Sequence, residues 1–369
     1  MLEGAFIVHL DDYHGFIVEK RFPATLVLNE KVLNLIYYDH LKEKQQTIKF
    51  SELEKLRIIS YMDDLHPGWM ICFTIDSNTT PESTYDIVTG MSRLLLELIT
   101  SNPDMVDLEE IIQKRSILPE PSEEQKIAEV FLTPSSALIL ERMQLQTIES
   151  AAKLSIWLKN EIQSDTVDIR EAVTPLIQTG MVKVEVIGKT RETVFLIKDI
   201  FSYRAPPVES IAKAKELYPN ILSSYLEAVK TFFSPPPPEK GYNPTLKVDD
   251  PNSPIVEDRE KIARILAHRL HYLVLQCLRN QPLGIEEIVE KISLPKGVVQ
   301  NSLWVLEADR IAMCLEESNL WALITNPVIE TFLPEYALPI ISRKLVDKEI
   351  VPETASRYLE LLAGTWSES

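Results

Sequence analysis

The sequence has few of the glycines from which phosphate-binding loops are built. Glycine occurs 10 times in 369 residues, and no glycine-rich loop is followed by Lys-Ser or Lys-Thr. The tripeptide Gly188-Lys189-Thr190 lacks the upstream glycine of such a loop and is typical of a hairpin turn. We therefore expect the chain to be neither a GTPase nor an ATPase.

Cysteine and histidine are also scarce, which disfavours metal centres and disulfide frameworks. The 3 cysteines lie far apart among apolar residues, without the spacing of metal ligands. Of the 6 histidines, His268 and His271 have helical spacing, but Glu260 is the one carboxylate near them. No histidine lies beside a nucleophile. We predict free buried thiols at Cys72, Cys277 and Cys314, with no metal, no cofactor and no catalytic residues.

Positive charge and long apolar runs are the remaining deficits. The chain has 38 Lys and Arg against 55 Asp and Glu, a net charge of −17. Such a polyanion repels nucleic acid and anionic lipid unless its basic residues gather on one face, and no such gathering is visible. No apolar run is long enough to span a bilayer, and no signal segment opens the chain. The expected location is cytoplasmic, with at most peripheral membrane contact.

The first third of the chain contains strand-like runs separated by polar turns. Ala5–Leu10 and Phe16–Phe22, joined by the turn Asp11–Gly15, predict a hairpin. Trp69–Asp76 predicts a further strand, and periodic apolar residues over Ile87–Leu98 predict a buried helix face. The order of elements, β-β-α-(β)-β-β-α-α, resembles the longin fold, an α/β sandwich of trafficking proteins and small-GTPase regulators.

The rest of the chain predicts helical modules, so we expect an α+β fold in several domains. Three helices followed by a hairpin, which describe a winged helix, occur twice. The predicted domains are a longin-like domain (1–116), a first winged helix (123–205), a helical extension (206–233), a proline-rich linker (234–256), a second winged helix (257–326) and C-terminal helices (327–369).

Three local predictions concern the second half of the chain. Apolar residues from Ile262 to Leu278 predict one helix face at the start of the second winged helix. Asn326-Pro327 predicts the start of two C-terminal helices, at about Val328–Leu345 and Pro352–Leu362. The prolines of the linker predict an extended, mobile segment.

Nucleic-acid binding by the winged helices would require a basic third helix. The predicted third helices instead mix both signs of charge, so neither has the footprint that phosphate contact needs. Their charged residues are Asp165, Asp168, Arg170 and Glu171 in the first, and Lys296, Glu307, Asp309 and Arg310 in the second.

A longin-like domain followed by winged helices is similar to the nitrogen permease regulator 2-like proteins, which form with folliculin a class of Rag-type GTPase regulators. The segment Glu192–Ile197, followed by Pro206-Pro207, also looks like that family's return strand and exit. Members that stimulate GTP hydrolysis supply an arginine from the loop before the last central strand. The matching loop, Asp63–Gly68, has no arginine, and histidine is a poor substitute for one at neutral pH.

The resemblance implies a non-enzymatic adaptor or regulator in an archaeal or eukaryote-like trafficking or signalling complex. Its partner would be a small GTPase or a longin/roadblock protein, with other subunits held by the winged helices. Two alternatives stay open: a subunit of an ESCRT-II-like winged-helix assembly, and a DNA-binding winged-helix transcription regulator. The candidate partner-binding residues are Tyr13, His14, Lys20, Arg21, Arg57, Lys189 and Arg191.

Overall fold

The computed structural model describes residues 2–11, 13–42, 47–53, 56–63, 66–101, 103–164, 166–188, 191–237, 240–247, 249–315 and 318–368. The chain is 53% helical and 21% strand, which confirms the predicted mixture of α and β structure. It divides into two compact units, the first made of residues 1–120 and 283–304 and the second of residues 121–282 and 305–369.

The first unit is built on a five-stranded antiparallel sheet. The strand order is β2-β1-β5-β4-β3, so β1 and β5 are central and β2 and β3 are the edges. The predicted hairpin, the central strand and the weaker third strand are all present. In chain order, β1 to β5 are Leu2–Asp11, Gly15–Phe22, Ile48–Leu53, Leu56–Tyr61 and Trp69–Ile75.

Alternation along the strands gives the sheet two buried faces. On one face Phe6 and Val8 of β1 pack in a cluster with Leu33 and Ile36 of helix α1 (Glu30–Lys42). The Asn29 side chain accepts a hydrogen bond from the Val32 nitrogen, which is the contact of a helix cap. Helices α2 (Tyr85–Ser101) and α3 (Leu108–Lys114) contact the same strands from the other face.

The segment after α3 is packed against α2. The Leu118 nitrogen donates to the Gly90 oxygen at 2.9 Å. A Cβ added to Gly90 would lie 2.9 Å from the Ile117 Cβ, so the absence of a side chain at Gly90 permits this close approach. Residues 117 and 118 are therefore held in place. Short 3-10 helices cover Pro81–Thr84 and Pro103–Met105, and the unit also contains α12 (Ile285–Ile292) and most of α13 (Lys296–Ala308).

The second unit begins with four helices and a small antiparallel sheet. The predicted order of three helices and a hairpin is present in α5 to α7 and β7 to β8, while β6 is an added strand beside β8. These elements are α4 (Glu123–Leu132), α5 (Pro134–Gln146), β6 (Ile148–Ser150), α6 (Ala151–Ile162), α7 (Ile169–Gln178), β7 (Val182–Ile187) and β8 (Arg191–Leu196).

A long-range strand pair corrects the prediction of a helix at Val328. Strand β12 (Asn326–Phe332) pairs antiparallel with β9 (Asp199–Ala205) over its whole length. The local sequence is rich in β-branched residues, and the partner strand satisfies the backbone groups that a helix would have satisfied internally. After β9 the chain forms α8 (Val208–Leu217) and α9 (Leu222–Phe233), which are separated near Pro219.

The predicted helix over Ile262–Leu278 is two helices. Helix α10 (Ile255–Ala267) ends where His268 takes an extended conformation (φ −71°, ψ 110°), and α11 (Arg269–Asn280) begins there. The apolar periodicity continues through the break, which is why the pattern alone does not reveal it. Strands β10 (Ala312–Leu315) and β11 (Leu320–Leu323) form the expected hairpin.

The prediction of a mobile proline-rich segment is wrong at Tyr242. The Tyr242 hydroxyl accepts from the Arg204 nitrogen and donates to Asp258 Oδ2, both at 2.9 Å. The C-terminal helices, α14 (Ala337–Val346) and α15 (Pro352–Glu368), pack on the small sheet, where Tyr358 and Phe195 share one buried cluster.

Candidate partner-binding surface

Tyr13 and His14 form the tip of the β1–β2 hairpin, and both are exposed. Their backbone nitrogens donate to Asp11 Oδ1 at 2.9 and 2.8 Å, and His14 Nδ1 lies 2.8 Å from the same oxygen. The bond from the Tyr13 nitrogen, followed by the two from His14, lowers the pKa of Asp11. A charged carboxylate thus fixes the turn and presents an aromatic ring and an imidazole to solvent.

A second turn at the same end of the sheet repeats this arrangement. Residues 63–66 have the same Asp-Asp-X-His sequence as the hairpin tip. Asp63 Oδ1 accepts from the His66 nitrogen and lies 2.9 Å from His66 Nδ1. The Leu10 nitrogen donates to the Gly68 oxygen at 2.8 Å, which places the two turns side by side. The repeated tetrapeptide was the sequence signal that could have revealed this pairing.

The two turns fix their histidines in the same way. Each histidine is held by its own aspartate, and among the described residues of the turns no nucleophile is hydrogen-bonded to either histidine. No group of three or more histidine, cysteine, aspartate or glutamate side chains fit for a metal ion occurs among the residues described. Residues 12, 64 and 65 lie outside the described part of the chain.

Lys20 and Arg21 lie near the opposite end of β2. Successive side chains of a strand point to opposite faces, so these two cations do not form one patch. Arg21 is exposed, and its Nη1 donates to the Leu26 oxygen at 3.4 Å, a long hydrogen bond. Arg21 pairs with Phe6 in the sheet, about six residues, or roughly 20 Å, from the hairpin tip.

Arg57 of β4 is bonded within the first unit. Its Nη1 donates to the Asp76 oxygen at 2.5 Å and to the Thr79 oxygen at 3.1 Å, and its guanidinium lies 5.4 Å from the centre of the Phe50 ring. Strands β1 and β5 separate it from β2, so Arg21 and Arg57 are roughly 14 Å apart across the sheet. The structure therefore does not bring these predicted site residues together.

The remaining two predicted site residues belong to the second unit. Lys189 lies outside the described residues. Arg191 is the first residue of β8, where its backbone is opposite Ile187.

An exposed apolar face of α1 is a feature that the residue-level prediction missed. Leu35, Tyr38 and Leu41 recur every three residues and are 44%, 57% and 43% exposed. The opposite face is buried through Leu33, Ile36 and His40, and His40 Nε2 lies 2.8 Å from Ser60 Oγ of β4. An apolar stripe of this kind on a helix rigidly attached to a sheet is a typical docking surface.

The third helices of the predicted winged helices have no concentrated positive charge among their described residues. On α13, Lys296 is bonded to Glu286, and the exposed middle of the helix contains Asn301 and Trp304. On α7, Arg170 is followed by Glu171. The charge pattern is thus the one that the sequence indicates, with Asp165 outside the described residues.

The histidine pair His268 and His271 is an internal contact of the second unit. The two rings stack with their centres 3.6 Å apart, and His271 is buried. Burial, followed by the charge of His268, lowers the pKa of His271 to about 3. A histidine that stays neutral at neutral pH and is stacked on its neighbour belongs to the core.

Neither the protein-family models nor the curated proteins searched give a match. None of the helices in the described part of the chain combines the length and the apolar character that crossing a membrane requires.

Proposed function

We propose that the chain is a non-enzymatic adaptor or regulator that binds a small GTPase or a longin/roadblock protein through a longin-like first unit. The outer face of α1 is the observation on which the proposal depends. It exposes Leu35, Tyr38 and Leu41 on a helix whose inner face is fixed to the sheet. Large apolar side chains clustered on an exposed helix face are typical of partner-binding surfaces.

The architecture of the first unit supports the longin-like assignment. From Leu2 to Lys114 its strands and α-helices follow the order β-β-α-β-β-β-α-α, with α1 on one face of the five-stranded sheet. The edge strand β2 lies beside α1, where the Phe16 and Tyr37 rings are 5.4 Å apart. A partner seated on α1 can thus also reach the unpaired edge of the sheet.

Two arginines of the first unit, Arg57 and Arg93, are engaged within it, which favours binding without catalysis by either of them, while Arg21 and Arg115 are exposed. An arginine finger must be free to reach the transferring phosphate. Arg57 instead holds the carbonyls of Asp76 and Thr79, and Arg93 is paired with Glu120 at 2.5 Å. A regulator of this kind would act by holding its partner, or by placing it against other subunits.

Affinity capture from native extract tests the proposal. The tagged full chain is incubated with and without a non-hydrolysable GTP analogue, and the captured proteins are identified by mass spectrometry. We expect enrichment of a small GTPase or of longin/roadblock proteins over a tag-only control. Salt-sensitive recovery of nucleic acid and chromatin proteins, without these partners, would contradict it and favour the DNA-binding alternative.

A further inference from the structure

The C-terminal helices α14 and α15 have two apolar faces. The inner face is buried in the second unit, where Ala337, Ile341, Ala355 and Tyr358 pack against Phe195 of β8. The Tyr358 hydroxyl donates to the Leu196 oxygen at 2.6 Å, so this face is fixed in place. Because the helix pair is docked on the second unit through its inner face, the apolar residues of the outer face are left to contact solvent or a partner.

The outer face forms an open groove of about 350 Å³, the size of a small ligand pocket. On α15 its residues have the spacing i, i+3, i+4, i+7, which places them on one stripe of the helix. Trp366 at one end of this stripe is 65% exposed. The lining residues are Leu333, Pro334, Glu335, Leu338, Leu359, Leu362, Ala363 and Trp366.

Glu335 is the single charged side chain among those lining residues. The nearby cations are engaged elsewhere: Arg357 is bonded to Glu185 and Glu360, and the buried Lys344 donates to the Ile148 oxygen at 3.0 Å. Arg343 is more than one helical turn along α14 from Leu338 and does not line the groove. The groove thus has an apolar floor and a negative rim, on a chain whose net charge is −17.

We propose that this groove binds an amphipathic helix of a partner protein, with an apolar face for the floor and lysine or arginine beside it for Glu335. Eight lining residues are too few for a stable contact between two globular copies, which needs about 20–30 residues a side. A short helix that inserts two or three large side chains fits the dimensions. All the lining residues belong to the second unit, so this proposal is independent of the partner of α1.

Two labelled peptides test the proposal on the full chain. Both have the same leucine-rich helical face, and their flanking residues are lysine in one and glutamate in the other. Fluorescence anisotropy should give at least 10-fold tighter binding of the lysine peptide, with the difference shrinking as salt is added. Glu335→Lys should reverse the preference, because it changes the sign of the rim charge.

A matched pair of variants assigns the binding to the groove. Leu359→Glu places a charge on the floor and should weaken the lysine peptide at least 10-fold. Val346→Glu, at a site on α14 that is 77% exposed and outside the groove, should leave its affinity unchanged. Circular dichroism should confirm that both variants are folded.

Three results would overturn the proposal. The first is that neither peptide binds, and the second is that Leu359→Glu binds the lysine peptide as tightly as the parent chain. The third is a concentration-dependent dimer in sedimentation velocity that Leu359→Glu abolishes, since the occupant would then be a second copy of this chain.

Discussion

Arg204 joins four segments of the second unit. From β9, its Nε and Nη2 bond to the carboxylate of Asp258 on α10 at 2.8 and 2.7 Å, and its Nη1 donates to the Asp309 oxygen at 2.7 Å. Its backbone nitrogen donates to the Tyr242 hydroxyl, which fixes the proline-rich segment. Both charged side chains are buried, so each depends on the other for its solvation.

Replacing Arg204 alone should lower the free energy of unfolding more than replacing both Arg204 and Asp258. We expect Arg204→Met to lower the free energy of unfolding by about 3–5 kcal/mol, because it leaves a buried carboxylate without its partner. The double variant Arg204→Met/Asp258→Leu should lose less than Arg204→Met alone. Urea denaturation followed by tryptophan fluorescence measures both losses.

The control for these variants is an exposed ion pair on α10, the helix that contains Asp258. Arg264 of α10 is exposed and 3.7 Å from Glu260, so Arg264→Met should change the unfolding free energy by about 1 kcal/mol or less. The single variant Asp258→Leu completes the comparison. If the losses of unfolding free energy in the two single variants add up to the loss in the double variant, the two side chains do not depend on each other.

His271 should make stability depend on pH. Its pKa is lowered to about 3 in the folded chain from an ordinary value of 6.5, mainly by burial. Between pH 6.5 and 3 the unfolded chain therefore binds a proton that the folded chain does not, and stability must fall as the pH falls. His271→Leu should remove this contribution, so the loss of unfolding free energy between pH 7 and pH 5 should be smaller than in the parent chain.

The comparison for His271→Leu is the parent chain, measured over the same pH range. An identical slope of stability against pH in His271→Leu and the parent chain would contradict the structural account of the buried ring.

At the scale of elements, short-range sequence patterns predict the features that depend on contacts between residues close together in the chain. The cap at Asn29 and the buried face of α13 are features of this kind, because short spacings in the sequence determine them; that face consists of Val298, Val299, Leu303 and Leu306. The β1–β2 hairpin was also predicted from local sequence, because two apolar runs joined by a turn of Asp and Gly seldom form any other structure.

Long-range pairing explains the elements that the local signals missed. β12 is a strand because Asn326–Phe332 lies against Asp199–Ala205, a segment more than a hundred residues earlier in the chain. No local spacing encodes that partner, and Val328 and Ile329 fit a helix face equally well. Tyr242 similarly acquires order from Arg204 and Asp258, which its neighbouring prolines do not indicate.

Strand register explains the incomplete prediction of the candidate site. Residue type indicated which side chains could contact a partner, but Lys20 and Arg21 alternate across the sheet and Arg57 lies three strands away. The face formed by Leu35, Tyr38 and Leu41 becomes visible only when the inner face of α1 is known to be filled.

At the scale of the whole molecule, the chain consists of two compact units, and one proposed binding surface belongs to each. The α1 face belongs to the first unit and the C-terminal groove to the second. Both proposed surfaces are apolar and helical on a strongly acidic chain, a combination that favours contact with proteins over contact with nucleic acid.

The most direct test of the proposed function is an equilibrium titration of the captured partner, purified and loaded with the GTP analogue where it is a GTPase. We expect saturable binding to the parent chain, and at least a 10-fold loss of affinity in Leu35→Lys/Tyr38→Lys, because two charges are placed on the apolar face of α1. Val256→Lys, an exposed apolar site on α10 of the second unit, should bind as the parent chain does. Equal affinity of the α1 variant and the parent chain would contradict the account.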